Sequence, residues 1–362
     1  MVAYVTARAS AKTALAYYDH LRGDDARGRT GEAPGRWIGG CAERLSLNGP
    51  VTETEFAAAL EGVDPKTGER LAQRGPGGKH VAGWDMIFSA DKSVSVLWAL
   101  SEEPERQAIE EAHRSAVMIA AAHLERSWAR TRRGRDGVVR EEEAAGLLMA
   151  RFDHHTSRAS DPLLHSHCFI FNVAPRWDGS WGTIVSRQLY RAQKDAGAVY
   201  RRELAGELER LGYRLDREAY GFRVAAIPRD IALAFSKRNQ AIEKAARDAG
   251  WRTAKSMKLT AVRTLGKKPE AKPDRLFATW KAEAKALGFE LGPQRWHERP
   301  LAAAAGEAHF GGTAGRFDAG ARSAPQAAAS HLGQALRSLD QPSGMSGAKV
   351  RLRQSDREQE RE

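Results

Sequence analysis

Eleven histidines occur in the 362-residue chain, and four of them fall in one stretch, FDHHTSRASDPLLHSHCFIFN. His165 and His167 stand two apart on an apolar run that reads as a strand, so both imidazoles leave the same face. His154 closes the preceding strand-like run, and Asp161-Pro162 marks the turn that folds the two runs into a hairpin. Three neutral nitrogens then converge on one point. Three imidazoles leave the charge of a divalent ion uncompensated and some coordination positions vacant, which suits binding and polarising a phosphate oxygen. The competing account makes two of them core histidines and the third a surface residue. His155 points to the opposite face by strand alternation and is not a candidate ligand.

Two further side-chain types belong to this chemistry. A metal-bound histidine usually hands its second N–H to a carboxylate, and Asp85, set among apolar residues in GWDMIFSA, is the best candidate. Its alternative is a strand-end residue bonding backbone. Tyr17 and Tyr18 are adjacent on a helical run, about 100° apart, so one packs into a core while the other is presented outward. A phenol is a credible nucleophile toward phosphorus once a base or metal offsets its ordinary pKa of about 10. Packing alone also accounts for paired tyrosines.

These side chains need a scaffold. Residues 11–21 read as a short helix, and Thr52 with Glu55 forms a capping box for a helix that Gly62 ends. Residues 83–88 and 93–98 read as strands, 102–131 as a long helix, and 146–154 and 165–174 as two more strands. Asp178-Gly179 signals a tight hairpin, 189–211 a second long helix, and 220–227 a strand. Hairpins separated by helices predict an α+β fold, an antiparallel sheet with helices packed against it.

The charge is unevenly placed. The chain carries 57 basic and 46 acidic side chains, a net of +11, yet residues 229–300 alone hold 17 basic against 8 acidic, a net of +9. Such a block favours a polyanionic partner, because neutralised phosphates release counterions; a solvated helical face is the plainer account. The same stretch carries Phe235, Trp251, Phe277, Trp280, Phe289 and Trp296, a composition suited to tracking a backbone and stacking bases. Three regions follow: a catalytic core over 1–228, a basic helical segment over 229–300, and a low-complexity part over 301–362. The last, rich in Ala, Gly, Ser and Gln, buries too little apolar surface to offset the entropy of ordering and is expected to be a disordered tail or linker. No apolar run approaches the roughly 20 residues of a membrane span, and the start lacks a signal-peptide core. Cys41 and Cys168 make neither a disulfide framework nor a zinc ribbon. Lys79 is followed by His80, so no phosphate loop and no ATP-driven motor is encoded.

Taken in order, YY on a short helix, D-x-x-F-S-x-x-K-S-V-S, and F-x-H-x-T-S-R-x-x-D-P-x-x-H-x-H resemble the MobF-type conjugative relaxases, the TraI/TrwC-like branch of the HUH endonucleases. The resemblance runs over roughly residues 1–300, including GAVYRRELAGELERLGY. It implies an antiparallel sheet carrying a three-histidine site, covering helices, and a C-terminal helical segment closing over single-stranded DNA. It implies His154, His165 and His167 as ligands of one divalent ion, with Mg²⁺ or Mn²⁺ expected in use and Zn²⁺ or Ni²⁺ able to fill the site. Tyr17 becomes the nucleophile joined to a 5′-phosphate, Tyr18 its understudy, and Asp85 the acid that orients a ligand histidine and helps take the phenolic proton. Arg158 and Lys92 are placed to hold the strand. The partners implied are single-stranded DNA at a transfer-origin nick site with its adjacent duplex or hairpin, a coupling protein and accessory relaxosome proteins. The protein is expected to be cytoplasmic in a bacterium, without membrane insertion. Three departures stand out. Members carry a second tyrosine or tyrosine pair downstream, absent from DHLRGDDARGRTGEAPGRW; Asp91 stands where proline is usual; and fuller members continue into a helicase, which makes this chain an isolated domain or a short form. A rolling-circle replication initiator, a catalytically silent DNA-binding module and a small-molecule metallohydrolase remain as alternatives.

Overall fold

In chain order the elements begin with β1 (Val2–Arg8), α1 (Ala11–Leu21), β2 (Arg36–Ile38), α2 (Gly40–Arg44), α3 (Glu53–Leu60), β3 (Gly83–Ser89), α4 (Lys92–Leu100) and α5 (Glu103–Trp128). Then come β4 (Arg130–Arg135), β5 (Val138–Glu143), β6 (Met149–Thr156), β7 (Pro162–Phe171), β8 (Ala174–Pro175), β9 (Trp181–Gly182) and α6 (Ser186–Arg210). The chain continues through β10 (Leu215–Glu218), β11 (Gly221–Val224), α7 (Arg229–Ala234), α8 (Lys237–Asp248) and α9 (Pro273–Ala286). This computed structural model describes residues 2–8, 10–21, 34–73, 81–135, 138–251, 260 and 273–292. The expected tail over 301–362 and Trp296 lie outside the described residues.

Five strands form the central sheet in the order β1-β3-β7-β6-β2, every neighbour antiparallel. Both faces are covered. Trp84, Met86, Phe88, Cys168 and Ile170 look toward α4, α5 and α6, while Phe152, Phe169 and Phe171 look toward α1 and α3. The alternation is strict, as a sheet buried on both sides requires. The α+β expectation, helices on an antiparallel sheet, describes this molecule.

Register decides what shares a face with what. Residue 85 pairs with Phe169 and with Thr6; residue 167 pairs with Ile87 and Phe152; His154 sits directly opposite His165. Paired residues in antiparallel strands project to one side. Arg8, Asp85, His154, His165 and His167 therefore stand on the α1 side of the sheet.

One strand expectation fails. Residues 93–98 are the middle of α4, not a strand. The Ser/Val alternation imitates a half-exposed strand, but every residue from Ser93 to Leu100 is buried, and a helix buried all round carries no polar stripe. Its serines satisfy neighbouring backbone instead: Leu164 N–H donates to Ser95 Oγ at 3.1 Å and Val224 N–H to Ser93 Oγ at 2.9 Å. Asp91, the residue in the usual proline position, is the N-cap, accepting from Ser93 N–H at 2.9 Å and leaving one fewer orphan donor at the helix start. The long helix stops at Trp128, and the β4–β5 hairpin that follows had no counterpart in the sequence reading.

The basic segment docks on the hairpin that carries the histidines. The turn between β6 and β7 holds Ser160 at φ +59°, a left-handed conformation costing about 1 kcal/mol or more for a non-glycine residue. Trp280 Nε1 of α9 donates to Ser160 O at 2.9 Å, and Asp161 Oδ2 accepts from Arg238 N–H of α8 at 3.3 Å. Lys237 Nζ lies 3.5 Å from Asp161 Oδ1, and Lys92 Nζ donates to Pro162 O at 2.8 Å. Phe235 and Trp280 are buried in the core, with Phe277 and Phe289 packed against it and Trp251 half-buried. Four of the six aromatics of this stretch, Phe235, Phe277, Trp280 and Phe289, thus contribute to the core.

Candidate active site

Helix α1 explains why one tyrosine of the pair reaches the sheet. Ala14, Tyr18 and Leu21 form its buried stripe at helical spacing. Tyr18 is 2% exposed, its ring tilts against Phe56 at 4.6 Å and Phe152 at 5.9 Å, and its hydroxyl donates to Val51 O at 3.0 Å. It packs as a core residue, while the expectation made it an understudy to Tyr17. Tyr17, one step round the helix, projects along the edge of that stripe. Its hydroxyl donates to Asp85 Oδ2 at 2.7 Å and stands 3.3 Å from His167 Nδ1.

The three histidines meet beside it. Ring centroids are 5.2 Å apart for His154 and His165, 4.9 Å for His154 and His167, and 5.3 Å for His165 and His167. One ring nitrogen from each lies within 4.8 Å of the others. Every ring is oriented by a second contact: His167 Nδ1 on Asp85 Oδ2 at 2.9 Å, His165 Nδ1 on Leu163 O at 3.0 Å, and His154 Nε2 on Leu21 O at 2.7 Å. A ring that gives one N–H to an oxygen keeps the lone pair on its other nitrogen, the tautomer a metal needs. The donor set, its spacing and its outer contacts therefore fit a divalent ion with open positions. Asp85 is fully buried, and its Oδ1 has no hydrogen-bond partner among the described residues. A buried carboxylate oxygen in that state is a ready acceptor for a proton or a cation.

Electrostatics hold the Tyr17 phenol protonated. Burial first, and then the Asp85 carboxylate, push the Tyr17 phenol well above its ordinary range, while Arg8 pulls the other way. Arg8 was absent from the sequence reading. Its guanidinium carbon sits 3.4 Å from the Tyr17 ring centroid. The available signal was positional: Arg8 alternates with Thr6 on β1 and pairs with Gly83, putting it on the face of Asp85.

The opposite face of β7 carries a second polar chain. Ser166, between two ligand candidates, donates from Oγ to Asp153 Oδ1 at 2.6 Å. Its single proton is thus committed, so the 2.9 Å contact to His113 Nε2 has the imidazole donating, and Tyr200 Oη then donates to His113 Nδ1 at 2.7 Å. Burial pulls the His113 pKa down to about 4.

The remaining candidates fall elsewhere. Lys92 is spent on the Pro162 carbonyl, and burial pulls its ammonium down to about 8 despite Asp161 and Asp91. It braces the hairpin turn, where the expectation had it holding the DNA strand. Arg158 is half-buried in that turn, near enough to Arg238 that burial, then the Arg158 charge, hold the latter's guanidinium below its ordinary pKa. His155 does face away, its ring 5.0 Å from Trp98.

A family model described as TrwC relaxase matches residues 1–287. The chain is 32% identical over 295 residues to a multifunctional conjugation protein TraI of Escherichia coli, the match covering 78% of this chain and 16% of that protein. The chain thus spans about a sixth of that relative's length. Among solved structures, the conjugative relaxase TrwC in complex with OriT DNA in a metal-bound form aligns with TM-score 0.71 and 29% identity, over 80% of this chain and 100% of that one. TrwC with a 27-mer DNA comprising the recognition hairpin and cleavage site (TM-score 0.70, 29%) and a copper-bound TrwC–OriT complex (0.70, 30%) align over the same shares.

Proposed function

The chain belongs to the TrwC relaxase family, and from that membership and its site we propose that it nicks and rejoins one DNA strand at a transfer origin. The observation that carries this reading is the contact of the Tyr17 hydroxyl with Asp85 Oδ2, 2.7 Å away, beside three convergent imidazoles. Tyr17 Oη forms a bond to the scissile phosphorus, the P–O3′ bond breaks, and the products are a 5′-phosphotyrosyl ester and a free 3′-OH. Asp85 takes the phenolic proton, and the departing 3′-oxygen takes one from solvent. The ester conserves the phosphodiester bond, so rejoining is the same step reversed and needs no nucleotide.

An ion held by His154, His165 and His167 supplies positive charge to the scissile phosphate and offsets the cost of deprotonating a buried phenol. Mg²⁺ or Mn²⁺ is the working ion on availability, although three imidazoles bind Zn²⁺ or Ni²⁺ more tightly. Asp85 has two tasks through one oxygen: fixing the His167 tautomer and holding the Tyr17 proton. Arg158, half-buried on the turn between β6 and β7, is the candidate contact to the DNA backbone. The substrate is a single strand flanked by a hairpin; one TrwC structure holds a 27-mer DNA comprising the recognition hairpin and the cleavage site. A coupling protein and accessory relaxosome proteins complete the assembly in the bacterial cytoplasm; no described helix is long and apolar enough to cross a membrane. Tyr18 being locked in the core, the terminating cleavage falls to a second copy of the chain.

The test is covalent capture. Incubation with labelled oligonucleotides from the protein's own element and Mg²⁺ or Mn²⁺ yields a denaturation-resistant adduct that Tyr17→Phe and a chelator each abolish. An adduct that survives both refutes the reading.

A further inference from the structure

Arg8 is a cation at the nucleophile with no assigned work. It lies on the α1 side of β1, paired with Gly83, and its guanidinium stacks 3.4 Å from the Tyr17 ring centroid. Its Nε is buried and has no hydrogen-bond partner among the described residues. No carboxylate among the described residues pairs with it either; the nearby Asp85 gives Oδ2 to Tyr17 and His167. A buried, unpaired guanidinium N–H is costly, and the ligand that best matches its fork is a phosphate.

We propose that Arg8 binds a non-bridging oxygen of the phosphodiester that Tyr17 attacks, which makes it a further catalytic residue. The inference rests on the nicking reading. An attacking oxygen must lie about 3–3.5 Å from phosphorus, and a guanidinium stacked on the phenol ring stands alongside that line of approach. In the transfer, the Tyr17 O–P bond forms, the P–O3′ bond breaks, the phenolic proton passes to Asp85 and the 3′-oxygen is protonated by solvent. Negative charge grows on the non-bridging oxygens meanwhile, and Arg8 is aimed where it grows. In the reverse direction the same cation steadies the departing phenolate.

The experiment measures single-turnover adduct formation at saturating DNA and metal on three oligonucleotides: the natural phosphodiester and the two phosphorothioate diastereomers at the scissile position. Loss of a donor aimed at the transition state lowers the rate about 10²–10³-fold, so Arg8→Ala falls that far on the phosphodiester, Arg8→Lys falls less, and added guanidinium partly restores Arg8→Ala. In the wild type one diastereomer is slowed by sulfur in the position Arg8 contacts; in Arg8→Ala that particular slowing disappears. Equal slowing by sulfur in wild type and variant, or no rate loss in Arg8→Ala, overturns the inference while leaving the nicking reading intact. Should Arg8→Ala not fold, Arg8→Lys is read by the same sulfur comparison. A wild-type chain that forms no adduct on any of the three overturns both.

Discussion

Replacing Asp85 with Asn keeps the shape of the side chain and removes its charge, which separates its two tasks. One oxygen accepts from the Tyr17 hydroxyl at 2.7 Å and holds His167 Nδ1 at 2.9 Å. A hydrogen bond to a charged group is worth about 1.5–3 kcal/mol against 0.5–1.5 for a neutral one. Losing the charge on the His167 contact alone therefore weakens metal binding by about 1–1.5 kcal/mol, roughly tenfold, at the lower edge of the ~10–100-fold expected for an outer partner of a metal ligand. The proton-accepting task is lost almost wholly, because a neutral amide is a poor base, and the expected fall in adduct formation is about 10²–10⁴-fold. Calorimetric titration with Mn²⁺ reads the first effect, and single-turnover adduct formation at saturating metal reads the second. If Asp85→Asn binds metal about tenfold more weakly yet reaches the wild-type rate once metal saturates, the proton acceptor lies elsewhere and Asp85 only orients His167. If neither quantity moves, the 2.7 Å contact is incidental.

The tyrosine pair should separate in the same assay. Tyr17→Phe leaves the melting temperature nearly unchanged and gives no adduct, whereas Tyr18→Phe keeps the adduct and costs about 1 kcal/mol from the lost bond to Val51 O; an adduct in Tyr17→Phe reverses the assignment. His113 sets an acid limit on stability. Its folded pKa of about 4 lies below the ordinary 6.5, so the unfolded chain binds more protons between those values and stability falls as pH drops from 6.5 to 4, by about 3 kcal/mol at most. His113→Gln should flatten that part of a urea-denaturation pH series, and a parallel curve would refute it. Metal at 100 times its Kd should stabilise the chain by about 2.7 kcal/mol, read as a rise in Tm that chelator removes and His165→Ala prevents. Trp280→Ala, which empties a site packed on Trp98 and Phe277, should cost about 3–5 kcal/mol by chemical denaturation.

What could be read from the sequence was whatever chemistry repeats locally. His165 and His167 share a face because strands alternate, and the pairing of His154 with His165 across a DP turn is a short-range fact. The helix at 11–21 and the antiparallel class followed from spacing and from hairpin signals. Asp85 was singled out as the carboxylate for a ligand histidine, but which histidine it meets, His167, follows only from the register of β3 on β7, 82 residues apart. Arg8 stayed hidden for a physical reason, since it joins them only because β1 pairs with β3. The other failure was α4, whose serines serve buried backbone, so polarity carried no information about exposure. In the basic segment, composition alone did not distinguish aromatics that pack in the core, Phe235 and Trp280, from the half-buried ones.

The turn between β6 and β7 is gripped from two directions, by Lys92 of α4 on Pro162 O and by α8 and α9 through Asp161 and Ser160. His165 follows Pro162 by three residues along a strand that hardly stretches. A strand so anchored behaves as a pushrod: a small tilt of the carboxy-terminal helices is delivered lengthwise to an imidazole instead of being absorbed by slack loop. The placement of the His165 imidazole is thereby tied to the seating of α8 and α9 on the turn.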